Sequence, residues 1–243
     1  MREKIVRTLQ APPEAPVVEV GAGTGELTEG LAEQYPHFAA IEIDERAVEV
    51  LRRNLPSVDV RCEDVRETDW AALAKDLGEP LHVISNTPYY LTSEILFALL
   101  ENRTHVAEAV LTMQDAVADR LVADPSTKAY GILSVLVQLF ADPERCFTVP
   151  PQVFSPQPNV SSAVVRLTFG PDDGPDGLAL DDVRPYVRAA FNQRRKMLRN
   201  SLSDWVKERD MSLPHDWERK RAEALTPDQL AELAHALNEQ RGV

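Results

Sequence analysis

Val17-Val18-Glu19-Val20-Gly21-Ala22-Gly23-Thr24-Gly25 sets a β-rich run directly before a glycine loop. The spacing is G-x-G-x-G, and the sixth position is Glu26. A dinucleotide fingerprint would instead read G-x-G-x-x-G after its first strand. Glycines allow positive φ and let a ligand approach the backbone closely. With the helical pattern Leu27–Gln34 behind it, the loop is either the floor of a small nucleoside site or a tight strand-to-helix turn.

Working outward, Phe38–Ile43, Val58–Cys62, Leu81–Ser85 and Val106–Met113 are further short β-rich runs. Helical patterns separate most of them, and Glu45–Asn54 opens after Asp44, a suitable N-cap. Alternating strands and helices predict βαβ units, hence an α/β fold with a parallel sheet and right-handed crossovers. Later come a helical Ala129–Phe140 and the strand-like Cys146–Val149 and Ala163–Phe169, close enough in sequence to pair as an antiparallel edge. Gly170-Pro171-Asp172-Asp173-Gly174-Pro175-Asp176-Gly177 has the composition of a linker. Beyond it, Val183–Trp205 and Pro227–Asn238 are helical by spacing. The division expected is a catalytic domain over 1–170, a linker over 171–180 and a small helical domain over 181–243.

Two acidic residues close strands. Glu42 can accept from both hydroxyls of a ribose, and Asp64 can accept from an adenine amino group; each could instead be a solvated cap. Ligands of open α/β sheets bind at the carboxyl ends of strands, where Gly21, Glu42 and Asp64 all fall. The cofactor expected from this set is S-adenosylmethionine rather than NAD.

The next strand runs into Asn86-Thr87-Pro88-Tyr89. The lone pair of an adenine amino group is delocalised into the ring, which makes the nitrogen a poor nucleophile. The Asn86 side-chain oxygen and the Thr87 carbonyl can accept its two N–H groups and favour a pyramidal nitrogen. That stabilises charge developing in the transition state. Pro88 stiffens the turn, and Tyr89 offers a ring for stacking. An ordinary strand-to-loop turn is the simpler alternative. Val149–Pro158 holds four prolines and sets Phe154 as a second aromatic wall or a packing residue. Together the motifs indicate methyl transfer to adenine N6, with Asn86, Tyr89 and Phe154 around the base.

The chain has 243 residues and a formal charge of −13, with 6 lysines against 20 arginines. Such a charge opposes binding to a polyanion, although a local basic patch can reverse the average. Abundant carboxylates with few lysines suit a protein adapted to a salty cytoplasm; the rival explanation is that it binds no nucleic acid. Arg188, Arg194, Arg195, Lys196 and Arg199 form the most cationic stretch, either a phosphate-binding surface or a solvated helix face. No apolar stretch is long enough to span a membrane, Met1–Val6 lacks the apolar core of a signal peptide, and Cys62, Cys146 and the five histidines show no metal-ligand spacing. A cytoplasmic, metal-free protein is expected.

These motifs extend to Met113–Leu121, Lys128–Val135, Val149–Leu167 and Phe191–Leu202. Nearly the whole chain thereby resembles the bacterial small-subunit rRNA adenine dimethyltransferases, which have a Rossmann-like class I methyltransferase sheet and a small C-terminal helical domain. The Asn-Gln-Arg-Arg-Lys run at 192–196 is the most family-specific part. The resemblance implies S-adenosylmethionine contacts at Gly21, Glu42, Asp64 and Asn86, and a target base among Asn86, Tyr89 and Phe154. It also implies a monomer that dimethylates two adjacent adenines near the 3′ end of 16S rRNA in a pre-30S particle, with a role in subunit biogenesis. Three departures stand out. Thr87 replaces a usual Leu, Tyr90 replaces a common Asn, and the chain begins inside the helix expected after a Gly-Gln-Asn-Phe-Leu segment. A start upstream of Met1 and weaker cofactor binding by the chain as it stands are expected. The alternatives are a large-subunit rRNA adenine methyltransferase and a non-catalytic assembly factor.

Overall fold

The computed structural model describes residues 1–154, 157–170 and 174–241. Ser155 and Pro156 of the proline-rich stretch, and Pro171, Asp172 and Asp173 of the expected linker, lie outside the described residues. Seven strands form one sheet: β1 (Val17–Val20), β2 (Phe38–Glu42), β3 (Asp59–Cys62), β4 (Leu81–Asn86), β5 (Val106–Gln114), β6 (Asp142–Val149) and β7 (Ser162–Thr168). Their order is β3-β2-β1-β4-β5-β7-β6. Strands β1 to β5 pair in parallel, and β7 runs antiparallel to β5. Strands β6 and β7 are the expected neighbours at one edge.

The order reverses beside β1, whose partners are β2 and β4. That reversal opens the crevice in which α/β sheets bind ligands. All of β1 and β2 is buried, as are the first five residues of β4, because helices cover both faces of a parallel sheet. The helix Glu45–Asn54 starts as expected, with the Asp44 side chain accepting from the Arg46 N–H. It buries Ala47, Val48 and Leu51, and Leu51 joins Leu31, Val17 and Ala40 in the core. Burying one leucine side chain contributes about 1.5–3 kcal/mol.

By its contacts the chain forms two compact units, Met1–Ala118 with Pro143–Pro171, and Asp119–Asp142 with Asp172–Val243. The segment Asp119–Asp142 thus groups with the C-terminal helices rather than with the sheet. In that unit the helices Ile132–Phe140, Leu180–Asn192 and Pro227–Asn238 bury Val135, Leu136, Val183, Val187, Leu230 and Leu237. Thr226 and Gln229 form a reciprocal cap on the last helix. The helical pattern over 183–205 is interrupted. Leu180–Asn192 ends, a turn follows, and short helices resume at Leu198–Ser201 and Ser203–Lys207. Met197 is extended and bridges Arg221, while the Leu198 N–H donates to the Lys220 carbonyl. Pairing between distant segments overrides helical periodicity there.

Candidate active site

Gly21, Gly23 and Gly25 all have positive φ, so the loop after β1 adopts a path that side-chain-bearing residues rarely take. The N–H groups of Gly21 and Ala22 donate to the Ile41 carbonyl, which ties the loop to β2. A Cβ on Gly25 would lie 3.0 Å from Leu51 Cδ2. Glu42 ends β2 and uses its carboxylate on the same loop: Oε2 accepts from the Gly23 N–H at 2.7 Å and Oε1 from the Asp44 N–H at 2.9 Å. Each carboxylate oxygen still has a second lone pair for a ligand.

Asn86 is the last residue of β4, and Tyr89 begins a single 3₁₀ turn after Pro88. The Tyr89 hydroxyl shares a 2.7 Å hydrogen bond with Ser162, the first residue of β7, and this holds its ring. Thr87 is buried. Its hydroxyl donates to Ser85 Oγ at 3.0 Å, and Ser85 donates to the Val20 carbonyl at 2.7 Å. This relay gives the polar side chain at position 87 a partner and joins the end of β4 to the end of β1.

Gly21, Glu42, Asn86, Tyr89 and Phe154 line one cavity of about 520 Å³. Asp64 lies in a second cavity of about 230 Å³; Gly21, Glu42 and Pro88 line both. Asp64 is already engaged. Arg66 Nε donates to both of its oxygens at 2.9 and 3.0 Å, and the Arg66 N–H to Oδ1 at 2.9 Å. These bonds hold the Asp64 carboxyl below its ordinary pKa.

Glu19, Arg66 and Ser162 escaped sequence reasoning. Glu19 lines the larger cavity at only 2 % exposure, and its Oε2 has no hydrogen-bond partner. Burial pushes its carboxyl up to about 8; the Thr28 hydroxyl acts against this and the Glu42 charge adds to it. Its place two residues before Gly21 was a visible signal, since a buried strand that carries an acid has to pair it.

The basic residues lie in the other unit. Arg188, Arg195, Lys196 and Arg199 are exposed. Arg194 is turned inward: Nε donates to Glu223 at 3.0 Å, and its terminal nitrogens donate to the Thr127 and Lys128 carbonyls at 3.0 and 3.2 Å.

Residues 1–239 match the family model described as ribosomal RNA adenine dimethylase. The chain belongs to the ribosomal RNA adenine dimethylase family. It is 72 % identical over 238 residues to "Ribosomal RNA small subunit methyltransferase A" of Salinibacter ruber, covering 98 % of this chain and 80 % of the relative. The protein of the same name from Prosthecochloris aestuarii is 45 % identical, over 82 % of this chain and 75 % of its own length. Among solved structures, a dimethyladenosine transferase from Plasmodium falciparum superposes with a TM-score of 0.79 at 22 % identity, covering 99 % of this chain and 96 % of that one. The 23S rRNA methyltransferase ErmE gives 0.68 at 24 % identity, covering 98 % and 96 %. These superpositions establish the class I methyltransferase fold.

As a dimethylase of this family the protein is an enzyme whose cofactor is S-adenosylmethionine. The residues present fit that group. Glu19, whose buried Oε2 has no hydrogen-bond partner, lines the cavity with the glycine loop, and a cationic ligand placed there would favour its ionised form. Glu42 stands in the adjoining cavity with lone pairs left for hydroxyl donors, and Asp64 stands there with both oxygens held by Arg66.

Proposed function

We propose that the enzyme dimethylates N6 of two adjacent adenines near the 3′ end of 16S rRNA. Its expected substrate is the small subunit during biogenesis, met as a pre-30S particle by a cytoplasmic, monomeric protein. The relatives named for the small ribosomal subunit support the choice of RNA, through high identity along nearly the whole chain. The observation that carries the chemistry is the shared cavity of Asn86, Tyr89, Phe154 and the glycine loop.

The cofactor, when bound, supplies an electrophilic methyl group. Gly21, Glu42, Asp64 and Asn86 are its proposed contacts. The Asn86 side-chain oxygen and the Thr87 carbonyl accept the two N–H groups of the target adenine. This turns the nitrogen lone pair out of conjugation and stabilises the positive charge that develops on nitrogen. Tyr89 and Phe154 hold the base between aromatic rings after it leaves its stack. The bond from Ser162 keeps the Tyr89 ring from swinging away.

Arg188, Arg195, Lys196 and Arg199 are the proposed phosphate contacts. Arg194 braces the 127–128 segment through its bonds to Glu223 and the two carbonyls. The test is Asn86→Ala, assayed for methyl transfer and for binding to unmethylated small ribosomal particles. A rate loss of roughly 10²–10³ with binding retained is expected, by analogy with removing one preorganised polar contact. Unchanged methylation would refute the mechanism.

A further inference from the structure

Among the described residues, Met1, Ile43, Tyr90, Val153 and Val160 are the exposed large hydrophobic side chains. Two of these five, Ile43 at 52 % and Tyr90 at 78 %, line the same cavity, the one that contains Asp64. Single exposed apolar residues are ordinary, but a pair at the rim of one cleft marks a surface that a ligand covers. Inside the rim stand the carboxylates of Glu42 and Asp64, with Val65, Leu91 and Ile95 as apolar lining. Apolar walls with a few directed acceptors suit a nucleoside, a planar base carrying an amino donor on a sugar carrying hydroxyl donors.

The two consecutive tyrosines have separate duties. Tyr89 lines the larger cavity with Phe154, while Tyr90 lines only the smaller one, with Pro88 common to both. Tyr90 has no part in the aromatic pair around the target base. The short 3₁₀ turn Tyr89–Leu91 thus presents one ring to each cavity.

We propose that Tyr90 is a cofactor-binding residue whose ring, with Ile43, closes the Asp64 cleft over the purine of S-adenosylmethionine. This rests on the placement of the cofactor at Glu42 and Asp64 given above. The high exposure of Tyr90 means that replacing it removes almost no buried packing, so the variants should fold.

The experiment is calorimetric titration of the full chain with S-adenosylhomocysteine in the absence of RNA, for wild type, Tyr90→Ala, Tyr90→Phe and Asp64→Ala. Tyr90→Ala should raise Kd roughly tenfold, the order of one lost base–aromatic stack. Tyr90→Phe should stay near wild type, because the ring and not the hydroxyl is required. An unchanged Kd in Tyr90→Ala alongside weakened binding in Asp64→Ala would overturn the proposal and leave the cofactor placement intact. Unchanged binding in both variants would overturn that placement and the proposal with it. An unchanged Kd in Tyr90→Ala combined with a raised KM for ribosomal particles would assign the ring to RNA instead, and also overturns it.

Discussion

Burial of Glu19 beside the glycine loop raises its carboxyl from 4.5 to about 8, with the Thr28 hydroxyl opposing the shift and Glu42 reinforcing it. A folded-state pKa above the unfolded one means the native protein holds an extra proton between those two values. The stability this provides is fully present below about pH 4.5 and is lost as pH rises through about 8. Each pKa unit corresponds to about 1.4 kcal/mol, so the whole swing is on the order of 4–5 kcal/mol. Glu19→Gln should remove that part of the pH dependence and leave the ligand-free protein more stable at pH 8 than wild type. Melting temperatures of both proteins from pH 5 to 9 check this; parallel curves would contradict it. Glu19 was in plain view in the sequence, but its isolation depends on what surrounds the side chain in three dimensions. Asp64 shows the same limit. Its position at a strand end was legible, whereas its capture by Arg66 two residues later was not.

Among the elements, the glycine loop ties sequence to geometry most tightly. Gly25 combines φ +101° with a Cβ position 3.0 Å from Leu51, so Gly25→Ala strains the backbone and presses on the core together. A loss of roughly 1–3 kcal/mol in stability is expected, together with weaker cofactor binding. Denaturant melts and S-adenosylhomocysteine titration check the two effects. A variant with wild-type stability would show that the loop relaxes freely. The five parallel strands were legible as short β-rich runs, most of them separated by helical patterns, and their ends match to within a residue. The helix expected over 183–205 is broken for a physical reason: Met197 pairs with Arg221 and Leu198 with Lys220, partners more than 20 residues away. Arg194, Arg195 and Lys196 all lie in that break, the first turned inward and the other two exposed. Arg195→Ala or Lys196→Ala should each lower the salt slope of particle binding by about 1. Arg194→Ala should instead lower the melting temperature of the protein. Equal salt slopes in wild type, Arg195→Ala and Lys196→Ala would remove both residues from the phosphate contacts.

Across the whole molecule, a charge of −13 has to coexist with an RNA substrate. Exposed Arg188, Arg195, Lys196 and Arg199 provide a local cationic set in the second unit, while carboxylates dominate the chain as a whole. Self-repulsion among those carboxylates weakens as salt rises, because the screening length falls from about 10 Å at 0.1 M to about 3 Å at 1 M. Stability in a KCl series should therefore increase with salt; loss of structure would argue against adaptation to a salty cytoplasm. The class of chemistry was readable because Gly21, Glu42 and Asn86 recur at strand ends, where the fold collects them. The grouping of Asp119–Asp142 with the C-terminal helices was not, since only long-range contacts reveal it.

The central claim is that this chain transfers methyl groups to adenine in small-subunit rRNA. Its most direct test is transfer from labelled S-adenosylmethionine to unmethylated small ribosomal particles, across a KCl series, with the modified nucleoside identified. Dimethyladenosine in the small-subunit rRNA is the predicted product. Particles that bind yet take up no label at any salt would contradict the account.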